Sequence, residues 1–268
     1  MYGAIRRAIA NLTAGEDAER HFNLAAERIQ SALLQVNTPV VDGVEFGVYA
    51  EPARLVGGDY LDVFPASDRS FVFGLGDASG KSLAAALNSL MLRYLVRGLV
   101  TALGTQELVR IVTHTNEVVT DDISDETFIT FLLGAYDATS GALRIVNAGH
   151  EPPLVYRKET DAVQTIDVHD IVLGVRKETN YQLEETSLQP GDVAVFYTDG
   201  LTEATNDRGE LYTVDRLKQA LFERSSLPAQ ELAMAIFDAV KRYSAAPLRD
   251  DATIFVLQRT QNEGAIRG

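Results

Sequence analysis

The order of the predicted elements is the feature that most constrains the fold. Alternating segments after Pro39 predict strands at Val44–Ala50, Tyr60–Phe64 and Ser70–Leu75. Two helices follow, then six strands, two more helices and a closing strand at Ala252–Leu257. Strands and helices that come in blocks favour an α+β fold with antiparallel sheets over a doubly wound parallel sheet.

Apolar residues at three- and four-residue steps predict the helices, and alternation predicts the strands. The helices are expected at Ser82–Leu103, Gln106–Val119, Thr213–Arg224 and Ala229–Tyr243, and the middle strands at Phe128–Tyr136, Leu143–Asn147, Leu154–Arg157, Val163–Val168, Tyr181–Thr186 and Asp192–Tyr197. No repeat or low-complexity linker interrupts residues 41–260. We therefore expect one domain over 41–260, a helical regulatory or linker segment over 1–40 and a tail over 261–268.

An amphipathic helix is predicted over residues 16–36, where Phe22, Ala25 and Ile29 fall on one side. Its apolar seam is too short to indicate a coiled coil. The helix either lies on its own domain or serves as a dimerising or signal-transmitting element that binds an activator protein or a second copy of the chain.

Charge and composition exclude several classes of function. The 268 residues carry a formal net charge of −14, which argues against binding nucleic acid or an anionic membrane. The absence of cysteine removes disulfides, thiol nucleophiles and zinc–thiolate sites. We expect no membrane span, because Arg93 and Arg97 interrupt the most apolar stretch, and a cytoplasmic location.

Aspartates fall at the ends of predicted strands. Asp59 and Asp77 flank a turn centred near Asp68 at equal distances, so the two carboxylates should face each other across a hairpin. Directly opposed like charges are unfavourable in a sheet, which suggests a cation between them. Asp199 follows one late strand and Asp250 precedes the last one, so these two can also converge.

Each aspartate could instead be an ordinary turn cap. As ligands, hard oxygens without cysteine or clustered histidine select Mg²⁺ or Mn²⁺. Two such cations would form a site for attack on a phosphoryl group by a metal-activated water. Asp62 should point to the opposite face of its strand from Asp59.

A nucleotide triphosphatase is a weak alternative, suggested by Gly80-Lys81-Ser82 at the start of a helix. The phosphate-binding loop requires a glycine five residues before Gly80, and that position is Leu75.

Taken together, six segments resemble the SpoIIE/RsbU-type serine phosphatases, a branch of the metal-dependent PPM superfamily. The segments are VGGDYLDVF (56–64), GDASGKSLAAAL (76–87), TFITFLLGAYD (127–137), NAGHEPPLVY (147–156), PGDVAVFYTDGLTEATN (190–206) and RDDATIFVL (249–257). The resemblance implies a PPM-type α-β-β-α sandwich, two antiparallel sheets flanked by helices, with an N-terminal helical extension. Two departures are Ser82 and Ala84, where the family usually has glycine and often proline.

The resemblance also implies a ligand set for two cations. It comprises Asp59, Asp77, the backbone carbonyl of Ala78, Asp199 and Asp250. Asp251 would position the ligands without binding a cation itself, and Gly58 is next to Asp59, the first ligand in the chain.

Two residues near these motifs have competing interpretations. His150 either acts as a general acid or fixes a turn, and we favour the turn. Arg54 either holds a substrate phosphate or is a solvated arginine, and we favour the latter.

The resulting hypothesis is a metal-dependent protein serine/threonine phosphatase. By resemblance, its substrate is a phosphorylated STAS-type anti-sigma-factor antagonist in a partner-switching pathway. The alternative is a non-catalytic regulatory module that keeps the fold and binds a partner.

Overall fold

The computed structural model describes residues 36–80, 83–123 and 127–260. The predicted helix over 16–36, apart from its last residue, and the 261–268 tail lie outside the described residues. So does Ser82, the first of the two departures from the family pattern.

Ten strands and five α-helices make up the described chain. The strands are β1 (Val44–Glu51), β2 (Asp59–Ser67), β3 (Ser70–Ala78), β4 (Ile129–Asp137), β5 (Ala142–Ala148), β6 (Leu154–Arg157), β7 (Ala162–Thr165), β8 (Glu184–Ser187), β9 (Val193–Tyr197) and β10 (Ala252–Arg259). The helices are α1 (Leu83–Leu103), α2 (Leu108–Asp122), α3 (Asp199–Thr202), α4 (Thr213–Arg224) and α5 (Ala229–Tyr243).

The strands form two five-stranded antiparallel sheets. The first sheet has the order β1-β10-β9-β6-β7 and the second has the order β2-β3-β4-β5-β8. Helices α1 and α2 pack on the second sheet, and α4 and α5 pack on the first. This four-layer α-β-β-α arrangement confirms the predicted fold class.

Strand alternation explains how the sheets meet. In β2, Leu61 and Val63 join the core between the sheets, whereas Tyr60 belongs to the core beneath α1 and α2. Aromatic rings fill the space between the sheets, and the ring centroids of Phe73 in β3 and Phe196 in β9 lie 4.6 Å apart. Aromatic pairs at this separation add about 0.5–1.5 kcal/mol beyond the area that they bury.

Helix α1 is long and apolar enough by composition to cross a bilayer. In the fold it packs on β2 and β3 of the second sheet and is bound to β2 through polar side chains. Arg93 donates to the carbonyl of Leu61 at 2.7 Å, and Arg97 forms a two-bond ion pair with Asp62 at 2.6 and 2.8 Å. Packing against a sheet therefore accounts for its apolar composition.

Two predicted strands have different bounds in the structure. The strand expected at Val163–Val168 ends at Thr165, and the one expected at Tyr181–Thr186 begins at Glu184. The reason is a crossover over residues 166–183, which leaves the first sheet after β7 and enters the second at β8. Single bridges, such as Ile129 with Leu173, hold the crossover in place of a continuous ladder.

The phosphate-loop alternative has no support in the backbone. Leu75, at the position of the required glycine, is a fully buried strand residue paired with Leu61 on one side and Leu132 on the other. A central strand cannot wrap its amides around a phosphate, because those amides belong to the ladders.

Candidate active site

Asp59 and Asp77 are directly opposed in the β2–β3 ladder, which confirms the predicted register. The strands meet where β2 begins and β3 ends, so the pair lies at one edge of the second sheet. Asp59 is buried with 4% of its surface exposed, and Asp77 is half-buried. Two carboxylates are thus held opposite each other in a partly buried position.

The carboxylate of Asp59 is bound by the opposite sheet. Its Oδ2 accepts hydrogen bonds from the hydroxyls of Thr198 at 2.9 Å and Thr253 at 2.6 Å. Its Oδ1 is buried and has no hydrogen-bond partner among the described residues. Burial raises the pKa of Asp59 well above its usual value, the charges of Asp77 and Asp251 raise it further, and the two threonine hydroxyls lower it.

Asp199 and Asp250 form a second pair at the adjoining edge of the first sheet. Asp199 begins α3 directly after β9, and Asp250 precedes β10, which pairs with β9. Burial raises the pKa of Asp199 to about 6, with further contributions from Glu203, Asp250 and Glu151. The buried Oδ1 of Asp199 has no hydrogen-bond partner within the described part of the chain.

Asp251 braces the loop that leads into β2. Its two carboxylate oxygens accept the backbone N–H groups of Ala53 and Gly58, each at 2.8 Å. The carbonyl of Gly58 in turn accepts a short hydrogen bond from Ser89 on α1. The backbone that leads into Asp59 is therefore held by Asp251, next to β10 of the first sheet, and by a helix on the second sheet.

Gly58 has no side chain because the opposing strand approaches it closely. A Cβ at this position would lie 2.5 Å from the carbonyl oxygen of Ala78 and 3.0 Å from Oδ1 of Asp77. Two oxygens expected as ligands thus line the space that the glycine leaves open. The N–H of Ala78 donates to the Gly58 carbonyl at 3.3 Å and keeps the two backbones together.

The aspartates form two pairs, Asp59 with Asp77 and Asp199 with Asp250, and the threonine hydrogen bonds connect the two sheets between them. Across residues 36–80, 83–123 and 127–260, no three Asp, Glu or His side chains are arranged as a ready-made metal cluster. Joint binding of two cations by all four aspartates therefore stays a prediction.

His150 is buried and fixes a turn. Its N–H donates to Oδ1 of Asn147 at 2.8 Å, and the Asn147 amide donates back to the His150 carbonyl at 3.0 Å. The ring Nδ1 contacts the hydroxyl of Thr130 at 2.9 Å, and that hydroxyl accepts the N–H of Asp77 at 3.2 Å. Burial lowers the pKa of His150 to about 4, against an opposing contribution from the backbone of Tyr197.

Two other residues singled out from the sequence have different surroundings. Arg54 is exposed on the loop before β2, and its contact with a phosphate stays a prediction. Asp62 faces α1 and pairs with Arg97, on the opposite face of β2 from Asp59 as the pleat predicts.

Sequence reasoning missed the threonines that bind the site. Thr253 lies two residues after Asp251 and so returns to the same face of β10, a signal that alternation offered. Thr198 and Thr130 gave no signal, because threonine is common in any strand.

Two antiparallel sheets packed face to face, each covered by a helix pair, with aspartates at one edge between them, define a PP2C-type phosphatase domain fold. The family model described as Stage II sporulation protein E (SpoIIE) matches residues 67–260, and the chain belongs to this family.

Among curated relatives, the chain is 28% identical over 235 residues to "Phosphoserine phosphatase RsbU" of Bacillus subtilis, covering 87% of this chain and 69% of RsbU. It spans 40% or less of the three longer curated relatives that follow.

Solved structures share the fold. The RsbU and RsbW domains of Rv1364c from Mycobacterium tuberculosis match with a TM-score of 0.74 and 25% identity, over 86% of this chain and 63% of that one. The catalytic domain of the serine/threonine protein phosphatase PstP, solved in complex with two manganese ions, matches with a TM-score of 0.62 and 15% identity, over 81% of this chain and 99% of that one.

Proposed function

We propose that the protein is a protein serine/threonine phosphatase that depends on two divalent cations, Mg²⁺ or Mn²⁺. One observation carries the proposal: Asp59 and Asp77 are directly opposed, and the buried Oδ1 of Asp59 has no hydrogen-bond partner among the residues that the structure describes. Two opposed carboxylates, one of them buried, repel each other unless a cation neutralises their charge. The chain belongs to the SpoIIE family and is similar to the phosphoserine phosphatase RsbU, which supports phosphate-ester hydrolysis as the reaction that the cations would catalyse.

The residues at the site fit hard cations. Asp59, Asp77 and the carbonyl of Ala78 would hold one part of the centre, and Asp199 and Asp250 the other. Bound Mg²⁺ or Mn²⁺ supplies Lewis acidity towards the phosphoryl oxygens and lowers the pKa of water. All the proposed ligands are oxygen atoms, which these ions prefer.

The protein's own contribution is rigid placement. Thr198 and Thr253 fix one oxygen of Asp59 and leave the other free for a ligand. Asp251 fixes the backbone at Gly58, and His150 supports the backbone of Asp77 through Thr130. Positioning of this kind matters because a small displacement of a ligand lowers the rate steeply.

His150 is a poor general acid for the leaving hydroxyl. Its buried ring faces Thr130, and with a pKa of about 4 the ring is neutral at physiological pH. Arg54 is exposed, and its neighbour Ala53 is bound to Asp251 beside the site. We therefore propose Arg54 for the substrate phosphate in place of the solvated arginine that the sequence favoured, since a guanidinium binds two phosphate oxygens at once.

The proposed substrate is a phosphoserine or phosphothreonine on a STAS-type anti-sigma-factor antagonist. The relative named as a phosphoserine phosphatase supports the phosphoserine, and the match to the RsbU and RsbW domains of Rv1364c is consistent with it. The STAS-type antagonist is what the family resemblance implies. In this proposal residues 41–260 form the catalytic domain and the predicted 16–36 helix binds an activator protein or a second copy.

The test is hydrolysis of p-nitrophenyl phosphate with and without Mn²⁺, using Asp77→Asn and the matched control Asp62→Asn. Both changes remove one carboxylate from the β2–β3 hairpin, but Asp62 faces α1 and pairs with Arg97. We expect Mn²⁺-dependent turnover that Asp77→Asn reduces by at least about a hundredfold and Asp62→Asn preserves. Equal rates with and without metal, or an active Asp77→Asn, would reject the assignment.

A non-catalytic binding module is the second candidate, favoured by the lack of a ready-made cluster of three ligands in the described residues. Isothermal titration with Mn²⁺ separates the two. No heat of binding up to millimolar ion, together with tight binding of a phosphorylated STAS protein and no release of phosphate, would establish the module.

A further inference from the structure

A groove runs between α4 and α5, the two helices that cover the first sheet. It encloses a volume of about 380 Å³. Three arginines, two tyrosines and one glutamate line much of it, namely Arg216, Arg224, Arg242, Tyr212, Tyr243 and Glu223. We refer to it as the arginine groove.

The arginine groove is basic on a chain whose net charge is −14. Arg224 pairs with Glu223 at 2.8 Å, and the guanidinium of Arg216 lies 4.8 Å from the ring centroid of Tyr243. In the described part of the chain neither Arg216 nor Arg242 has a carboxylate within ion-pair distance, and both are exposed. At least two positive charges therefore lie open to an anionic partner.

All three arginines line the groove together with Tyr212. Burial raises the pKa of Tyr212, the charges of Arg224, Arg216 and Arg242 lower it, and the charge of Glu223 raises it. Arg216 also lies in the first turn of α4, where the helix dipole disfavours a positive charge. Helix stability does not explain an arginine at that position.

The groove adjoins the proposed catalytic centre. The lining of a neighbouring cavity of about 220 Å³ includes Asp250, Gly200, Leu211 and Ser244. Tyr212 and Tyr243, the chain neighbours of Leu211 and Ser244, line the arginine groove. The hydroxyl of Tyr243 donates to the carbonyl of Leu211 at 3.2 Å and holds this boundary. The arginine groove is therefore next to a cavity that includes Asp250.

We propose that the arginine groove docks an acidic segment of the phosphoprotein substrate, a proposal that rests on the phosphatase function above. Charge complementarity selects this occupant. An anionic phosphoprotein is repelled by most of an enzyme of charge −14, and a local basic groove offsets that repulsion and orients the approach. The phosphorylated residue then reaches the aspartate pairs across the neighbouring cavity.

The experiment uses Arg216→Glu and, as a matched control, Arg110→Glu, an exposed arginine on α2 over the other sheet. Both variants change the net charge equally. Arg216→Glu places a carboxylate in the first turn of a helix, where the dipole favours it, so α4 should remain folded. Arg242→Gln is a second variant that removes charge from the groove without introducing repulsion.

Three substrates are compared: a phosphoserine peptide that carries a run of glutamates, the same peptide with glutamines, and p-nitrophenyl phosphate. For the acidic peptide we expect KM to rise about five- to tenfold in Arg216→Glu and less in Arg242→Gln, with kcat unchanged. The other two substrates and Arg110→Glu should show no change. The difference in KM for the acidic peptide between wild type and Arg216→Glu should shrink at about 0.5 M salt, where charges are screened.

The proposal is overturned if KM for the acidic peptide is the same in Arg216→Glu and wild type, or if wild type does not prefer it to the glutamine peptide. If wild type hydrolyses none of the three substrates, the phosphatase assignment is what fails. Fluorescence anisotropy of the labelled acidic peptide then decides the groove alone: binding that Arg216→Glu weakens supports it, and binding equal in both proteins refutes it.

Discussion

Thr253→Val removes the shorter of the two hydrogen bonds that the first sheet donates to Asp59. A buried hydrogen bond to a charged group is worth about 1.5–3 kcal/mol. Valine has nearly the shape of threonine and a high strand propensity, so packing changes little. For the metal-free protein we therefore expect the free energy of unfolding to fall by about 2 kcal/mol when Asp59 is ionised. In a domain of this size that lowers Tm by about 4–8 °C.

The loss should depend on pH in a defined direction. The pKa of Asp59 is raised in the folded protein, so the folded state holds its proton longer than the unfolded state. Stability contributed by this group is present at low pH and is lost as pH rises through the folded pKa. The Thr253 hydroxyl stabilises the ionised form of Asp59. Its removal therefore raises the pKa of Asp59 further and makes the decline of stability with rising pH larger.

The assay is urea unfolding in the presence of EDTA at pH 5 and pH 9. The control is Thr165→Val on the edge strand β7, away from Asp59, for which we expect a change below about 0.5 kcal/mol. An equal loss for Thr253→Val at both pH values, or a loss below about 0.5 kcal/mol at pH 9, would refute the reasoning.

Three further predictions concern the same region. Gly58→Ala should abolish Mn²⁺-dependent hydrolysis, because its Cβ would lie 2.5 Å from the Ala78 carbonyl oxygen. The control is Gly98→Ala on α1, where a Cβ meets nothing within 4 Å. This variant should stay active, and its free energy of unfolding in urea should rise by about 0.5–1 kcal/mol. Asp199 has a pKa raised to about 6, so Asp199→Asn should stabilise the metal-free protein by about 2–3 kcal/mol at pH 7.5 and by little at pH 4. The pKa of His150 is lowered to about 4, so its contribution to stability is complete above pH ~6.5 and is lost as the pH falls below that value. Wild type should therefore lose stability between pH 7.5 and pH 5, and His150→Gln should lose up to about 2 kcal/mol less over the same range, measured by urea unfolding.

Local sequence signals were sufficient for the hairpin that carries Asp59 and Asp77. The turn near Asp68 fixes the register of both strands, and a small bulge between Pro65 and Ser67 leaves that register unchanged at the aspartates. Helices α4 and α5 likewise have the predicted bounds, because their apolar positions repeat at helical spacing. In these elements the residues that decide the structure are neighbours in the chain.

Contacts between the sheets were beyond prediction. Nothing local distinguishes Thr198 from a threonine on a solvated strand, yet its hydroxyl crosses to Asp59. The short strands β7 and β8 were misplaced at their ends because the crossover between them is set by tertiary contacts such as that of Leu173 with Ile129. Packing of distant segments decides such positions, and periodicity carries no information about it.

The central place of β10 has a consequence for synthesis of the chain. This strand is the last described element, yet it pairs with both β1 and β9 and carries Thr253 to Asp59. A nascent chain that ends before residue 252 leaves β1 without its partner and the aspartates of the second sheet without their brace. A partial chain that lacks β10 would therefore lack the strand that joins β1 to β9 and the hydroxyl of Thr253 that holds Asp59.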